Sequence, residues 1–204
     1  MTDPLEIAAT ALTLVCVILA VRRSLWQFPA GIAGSGLGLI VFWQAGLVSS
    51  ALLQPVFILI QLYGWWFWMR GRNHEAPRIG RTPRSVLLLG SLGALGLAGA
   101  GAGLLEAFSA ARMAFWDGAI LCLSVFAQVL LSLKRIENWL IWIIVNALSV
   151  FVYGAQGLWL YCGLYVFFFF NAFWGWWEWR RELRSYQGTG ARQAPDEARP
   201  QVTA

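Results

Sequence analysis

Apolar runs of bilayer-crossing length, separated by short polar turns, restrict this chain to very few folds. A helix of about 20 residues crosses the roughly 30 Å hydrocarbon core of a membrane. Seven such segments can be read: Leu5 to Val21, Gln27 to Gln44, Ser50 to Met69, Ser85 to Leu105, Trp116 to Leu133, Trp139 to Tyr153 and Leu158 to Trp179. Lipid cannot satisfy free backbone amides and carbonyls, so spanning segments are helices or strands of closed barrels. These runs are too long and too continuously apolar for alternating barrel strands. Of the 204 residues 12% are charged and 59% hydrophobic, whereas a soluble domain is about a quarter charged. The expectation is an all-α integral membrane protein with seven transmembrane helices.

The net charge of +5 could suggest a nucleic-acid partner, but its distribution says otherwise. Arg22 and Arg23 follow the first span. Arg70, Arg72, Arg78, Arg81 and Arg84 lie between the third and fourth, and Lys134 and Arg135 follow the fifth. Arg180, Arg181, Arg184, Arg192 and Arg199 follow the seventh. If the spans alternate, 14 of the 15 basic residues share one side; the other holds Arg112 with Asp3, Glu6, Glu106 and Asp117. Loops rich in Lys and Arg stay cytoplasmic, which places the N-terminus outside and the C-terminus inside. The charge then reports topology, and no nucleic acid is needed.

The acidic flank of the first span, Asp3 and Glu6, with its basic pair afterwards, is the reverse of a secretory signal; the span is expected to be retained. Cys16, Cys122 and Cys162 fall within spans and read as small packing residues. His74 is the only histidine, so no multi-histidine metal site is expected, and no cofactor. The polar tail 186–204 is expected to be disordered.

The chain also repeats itself. Gly64-Trp65-Trp66-Phe67-Trp68-Met69-Arg70 closes span three, and Gly175-Trp176-Trp177-Glu178-Trp179-Arg180-Arg181 closes span seven. The offset that carries Gly64 onto Gly175 also carries Gly46-Leu47 onto Gly157-Leu158. Arg22 and Trp26 match Arg135 and Trp139 at a slightly larger offset, which implies a small length difference in the second helix of each unit. Residues 5–69 and 116–179 then form two three-helix units, and 85–105, rich in Gly, Ala and Leu, is the linking helix. Equivalent helices lie four crossings apart and enter the membrane in the same direction. The result is a 3+1+3 parallel repeat of the SWEET-like kind.

No titratable side chain sits mid-span, where a proton-coupled carrier needs a relay. Lys134, the only lysine, lies outside any nucleotide-binding loop. Neutral polar residues are patterned instead. Gln54, Gln61 and Trp65 share a helical face, as do Asp117, Ser124 and Gln128; Trp139, Trp142 and Asn146; and Asn171 and Trp174. Each amide could be an ordinary interhelical contact. Together with tryptophans, which stack on rings and attract cationic ones, they suggest a central site for a hydrogen-bonding aromatic solute. Span two offers Gly31, Gly34, Ser35 and Gly38, suited to close helix packing.

Phe115-Trp116-Asp117, then Glu137-Asn138-Trp139-Leu140-Ile141-Trp142 with Asn146, and Gln156-Gly157, resemble the second half of the PnuC family of vitamin transporters. Leu52-Leu53-Gln54 and Tyr63-Gly64-Trp65 with Trp68 resemble its first half. The similarity runs from Ile7 to about Glu182. It implies a bacterial inner-membrane 3+1+3 carrier that moves nicotinamide riboside by facilitated diffusion, or thiamine or riboflavin in sister branches. It further implies trapping of the product by a cytosolic kinase, and a homotrimer. Residue by residue it assigns substrate binding to Trp142 and Asn146, then Gln54, Trp139 and Asn138, with Gln61 and Gly34 at places where the family carries Asn. Gln128, Asn171 and Trp174 join the site through the helical-face argument alone. A receptor or scaffold that does not transport is the competing reading, and a lipid-acting enzyme a more distant one, since no nucleophile or metal cluster is visible.

Overall fold

A computed structural model describes residues 4–44, 48–70, 77–108 and 114–192. Asp3, Gly46, Leu47, Arg72, His74, Arg112 and Arg199 lie outside the described residues. Seven helices follow one another: α1 Pro4–Val21, α2 Gln27–Gln44, α3 Val48–Met69, α4 Arg84–Phe108, α5 Ala114–Ser132, α6 Asn138–Ala155 and α7 Trp159–Arg192. Stretches within α1, α3, α4, α5 and α6 are long and apolar enough to cross a membrane. α2 and α7 stand where spans are expected but are less apolar. Gly31, Gly34, Gly36, Gly38 and two terminal glutamines dilute α2, and α7 is built on Trp and Tyr, whose rings carry polar tips.

α7 corrects one expectation. It continues to Arg192, so 186–192 is helical rather than disordered. The Tyr186 hydroxyl donates to Glu182 Oε1, one turn back, at 2.6 Å, and the Arg78 guanidinium lies over the Tyr186 ring at 5.5 Å. These contacts tie the extension to the loop before α4.

The helices close a ring. α1 packs on α2, α2 on α3, α3 on α5, α5 on α6, α6 on α7, and α7 returns to α1. α4 stands outside, against α5. Its composition follows from that single neighbour: Ala94, Ala98 and Ala102 are buried at regular one-turn spacing, and a Cβ on Gly118 of α5 would sit 3.4 Å from the Ala98 backbone. Small residues at this spacing let two helices approach closely in lipid, where packing rather than water release drives association.

The ends of α1, α3 and α5 meet α7 around Trp179 at one end of the ring, so these four helices run parallel. Trp68 Nε1 donates to Ser132 O at the end of α5 (3.0 Å), and Trp179 Nε1 donates to Val21 O at the end of α1 (3.2 Å). Phe28 meets Trp68 edge to face at 5.2 Å and 85°, and Trp139 meets Trp179 at 5.5 Å and 84°. Trp68 and Trp179 lie 6.2 Å apart. The turns after α1 and α5 share one hydrogen-bond pattern: Arg23 N to Ala20 O and Ser24 N to Leu19 O in one, Lys134 N to Leu131 O and Arg135 N to Leu130 O in the other. Arg23 and Lys134 both adopt φ 56°. Every one of these pairs keeps the offset that carries Gly64 onto Gly175. The larger offset read from Arg22 and Trp26 is not what the backbone follows: Phe28, not Trp26, occupies the place of Trp139, and no length difference is needed.

Candidate functional site

α6 supplies four of the nine residues singled out by sequence. Asn138, Trp142 and Asn146 follow one another at one-turn spacing on one face, and the turn that starts the helix at Asn138 pins the first of them. Asn138 is fully buried; its Nδ2 donates to Arg135 O at 2.6 Å, while its Oδ1 has no partner. Trp139 is buried between Trp179 and Gly175, where a Cβ would fall 2.6 Å from the indole, and its Nε1 also has no partner. Trp142 is half-buried and packs against two apolar clusters, one containing Ala172 and the other Ala127. Asn146, one turn further, is buried.

Asn171 lies on α7, one turn before Gly175. Its Nδ2 donates to Val17 O on α1 at 3.4 Å, and its Oδ1 is buried without a partner. Sequence reasoning missed Gln27. It is 2% exposed, its Nε2 is unpartnered, and the offset that carries Gly64 onto Gly175 carries it onto Asn138. Its position at the mouth of span two reads as a boundary residue, and the match of Trp26 to Trp139 conceals its relation to Asn138. An unpaired polar atom in the interior costs about 1–3 kcal/mol. Gln27 and Trp139 each leave a donor without a partner, and Asn138 and Asn171 each an acceptor.

Other candidates lie elsewhere. Gln61 is buried between α1, α2 and α3: its Nε2 donates to Ser35 Oγ at 3.4 Å, and its side chain fills the notch that Gly31 leaves open beside Cys16. At the offset that carries Gly64 onto Gly175, Trp142 corresponds to Gly31 and Ala172 to Gln61. Gln54 lies against Gly38, its amide 3.5 Å from where a Cβ would be. Both glutamines therefore bind α3 to the glycine face of α2, the close packing expected there. Gln128 is half-buried on α5, one turn from Ser124, whose hydroxyl donates to Ile120 O at 2.6 Å within its own helix. Trp174 is 39% exposed. It sits to one side of the Asn171, Gly175, Trp179 stripe, and the structure does not bring it to the other candidates.

Charge collects at the end where the tryptophans meet. Arg23 pairs with Glu182 at 3.2 Å and Glu178 at 3.7 Å, joining α1 to α7. The Lys134 ammonium lies 4.4 Å above the Trp68 ring. Burial, with help from Arg23 and against the pull of Glu182, pushes its pKa down to about 8. Among the described residues no three His, Cys, Asp or Glu side chains are grouped to hold a metal. The interior offers indoles, amides and hydroxyls.

The family model for nicotinamide mononucleotide transporters matches residues 3–181. The chain belongs to that family. It is 27% identical over 182 residues to the nicotinamide riboside transporter PnuC of Escherichia coli (strain K12), covering 76% of this chain and 75% of the relative. To the riboflavin/roseoflavin transporter RibM of Streptomyces davaonensis it is 28% identical over 182 residues, covering 84% of each. A crystal structure of the vitamin B3 transporter PnuC shares the fold, with a TM-score of 0.68 at 20% identity over 87% of this chain and 81% of that one. The protein is a multi-pass transporter of the bacterial inner membrane and not an enzyme.

Proposed function

We propose that this transporter carries nicotinamide riboside by facilitated diffusion, with a cytosolic kinase trapping the product. The observation that carries the reading is that Asn138 and Trp139, on the helix that also bears Trp142 and Asn146, and Asn171 and Gln27 on other helices, each bury a polar atom without a partner. A pyridine riboside has what they lack. Its carboxamide and ribose hydroxyls supply both donors and acceptors, and its cationic ring gains about 0.5–2 kcal/mol over a desolvated tryptophan face. A cargo of fixed charge needs no titratable partner, in keeping with the amide and indole lining. The similarity to the E. coli riboside transporter favours this cargo. Riboflavin is the second reading, because RibM is as similar over a larger share of both chains.

In this reading residues 5–69 and 116–179 are two units of a 3+1+3 parallel repeat, supported by contacts that recur at one constant offset and by the ring of helix pairs. They rock about the site between them. The basic end is cytoplasmic by the positive-inside rule, and the assembly is a homotrimer. Proteoliposomes test the proposal directly. Nicotinamide riboside should equilibrate without ATP or an ion gradient and equally in both directions, and Asn138→Ala or Asn171→Ala should slow it at least tenfold. Uptake of riboflavin alone would transfer the reading to the second cargo; exchange of neither, nor of thiamine, would sink it.

A further inference from the structure

α7 is longer than a membrane crossing requires. Its 34 residues extend about 51 Å at 1.5 Å per residue, whereas the hydrocarbon core is about 30 Å deep. A crossing that starts at Trp159 is complete after roughly 20 residues, near Glu178. Arg180, Arg181 and Arg184 then lie within roughly 3–9 Å beyond the core, the depth of the lipid headgroups. With Trp177 they line a depression of about 210 Å³. Positions 177, 180, 181 and 184 form one helical stripe, opposite the buried stripe of Gly175, Trp179 and Leu183.

The stripe has a polarity and a shape. Arg180 lies over the Trp176 ring at 4.8 Å and Arg181 over Trp177 at 5.9 Å, which holds the guanidinium stems along the helix. Arg70 over Trp66, the counterpart in the first unit, repeats the second pair at 4.9 Å. The acidic residues of this segment, Glu178 and Glu182, turn the other way and pair with Arg23. Three cations therefore share an exposed face at headgroup depth, beside an indole that is 55% exposed.

We propose that the stripe Trp177, Arg180, Arg181 and Arg184 binds the phosphate headgroup of an anionic phospholipid. Planar guanidinium groups take phosphate oxygens two at a time, and the Trp177 ring lies against the glycerol and upper acyl chain, where indoles settle in bilayers. A free phosphate would satisfy the arginines but leave the exposed indole in lipid without a role.

Native mass spectrometry of the whole protein released from nanodiscs tests the site. Discs of phosphatidylglycerol and phosphatidylcholine with matched acyl chains should leave phosphatidylglycerol retained preferentially. Each arginine at an anionic surface contributes roughly fivefold to binding. Arg180→Gln, Arg181→Gln and Arg184→Gln together should lower the preference on the order of a hundredfold, and Arg181→Gln alone, should the triple variant not fold, by about fivefold. Equal retention of both lipids, an unchanged preference in the variants, or displacement of the lipid by millimolar inorganic phosphate would each overturn the proposal.

Discussion

Replacing Gly175 by alanine tests whether the two tryptophan contacts at the basic end are as tight as the geometry says. The new Cβ would stand 2.6 Å from three atoms of the Trp139 indole, whereas carbon atoms pack best about 3.5–4.0 Å apart. The ring or the helix must therefore give way by roughly 1 Å. Neither moves easily: Trp139 is 3% exposed, and its edge meets Trp179, which is wholly buried and bonded to the end of α1. Overpacking of this kind costs about 1–3 kcal/mol. Gly64, at the matching offset, suggests the remedy, because the aromatic against it is the smaller Phe28. Trp139→Phe removes part of the ring the methyl would strike. The double variant Gly175→Ala with Trp139→Phe should thus be less destabilised than the two single losses combined, with a coupling of about 0.5–3 kcal/mol. Unfolding free energies of the four proteins in detergent give that coupling. If Gly175→Ala unfolds like the parent, or if the two losses simply add, the close contact is not what holds α6 against α7.

Three further outcomes follow from the same structure. Burial holds Lys134 near pKa 8 instead of 10.5, so between those values the unfolded chain keeps a proton that the folded one has released. Stability should rise with pH across that interval, and Lys134→Gln should flatten the rise in thermal midpoints measured through it. Gly31→Ala would drive a methyl into the Gln61 side chain; thermal midpoints should show the loss in the single variant and its partial recovery when Gln61 is shortened to Asn. Gly157 turns the chain at φ 73°, so Gly157→Ala should cost about 1–2 kcal/mol of left-handed strain, visible as a lower unfolding midpoint, while Gly163→Ala, inside α7 with nothing within 4 Å, should raise it slightly, alanine being favoured over glycine in a helix by about 0.5–1 kcal/mol.

The helices were largely legible in the sequence because a bilayer imposes a length on every apolar run. The end of α7 was not, because Glu182 to Tyr186 reads as solvated polar chain until the hydrogen bond between those two side chains and the Arg78 contact are seen. At Asn138, Trp139 and Asn171 the structure adds to the polar faces read from sequence that each is buried with one polar atom unpartnered. The candidate site was obscured where a polar residue serves packing. Gln61 has the composition of a ligand, and only the notch at Gly31 shows that its length is matched to a neighbouring helix. Gln27 needed the correct register between the units, and Trp26 supplied a false one.

The indoles of Trp68 and Trp179 end on the carbonyls of Ser132 and Val21, which belong to the last turn of a helix and have no amide of their own helix to accept from. α3 thus finishes α5, and α7 finishes α1. A movement that parts these helices at this end strips two helix termini of their donors at the same moment. Fraying and opening are then one event with one barrier, and the indole N–H signals of these two tryptophans, followed by hydrogen exchange, would report that barrier directly.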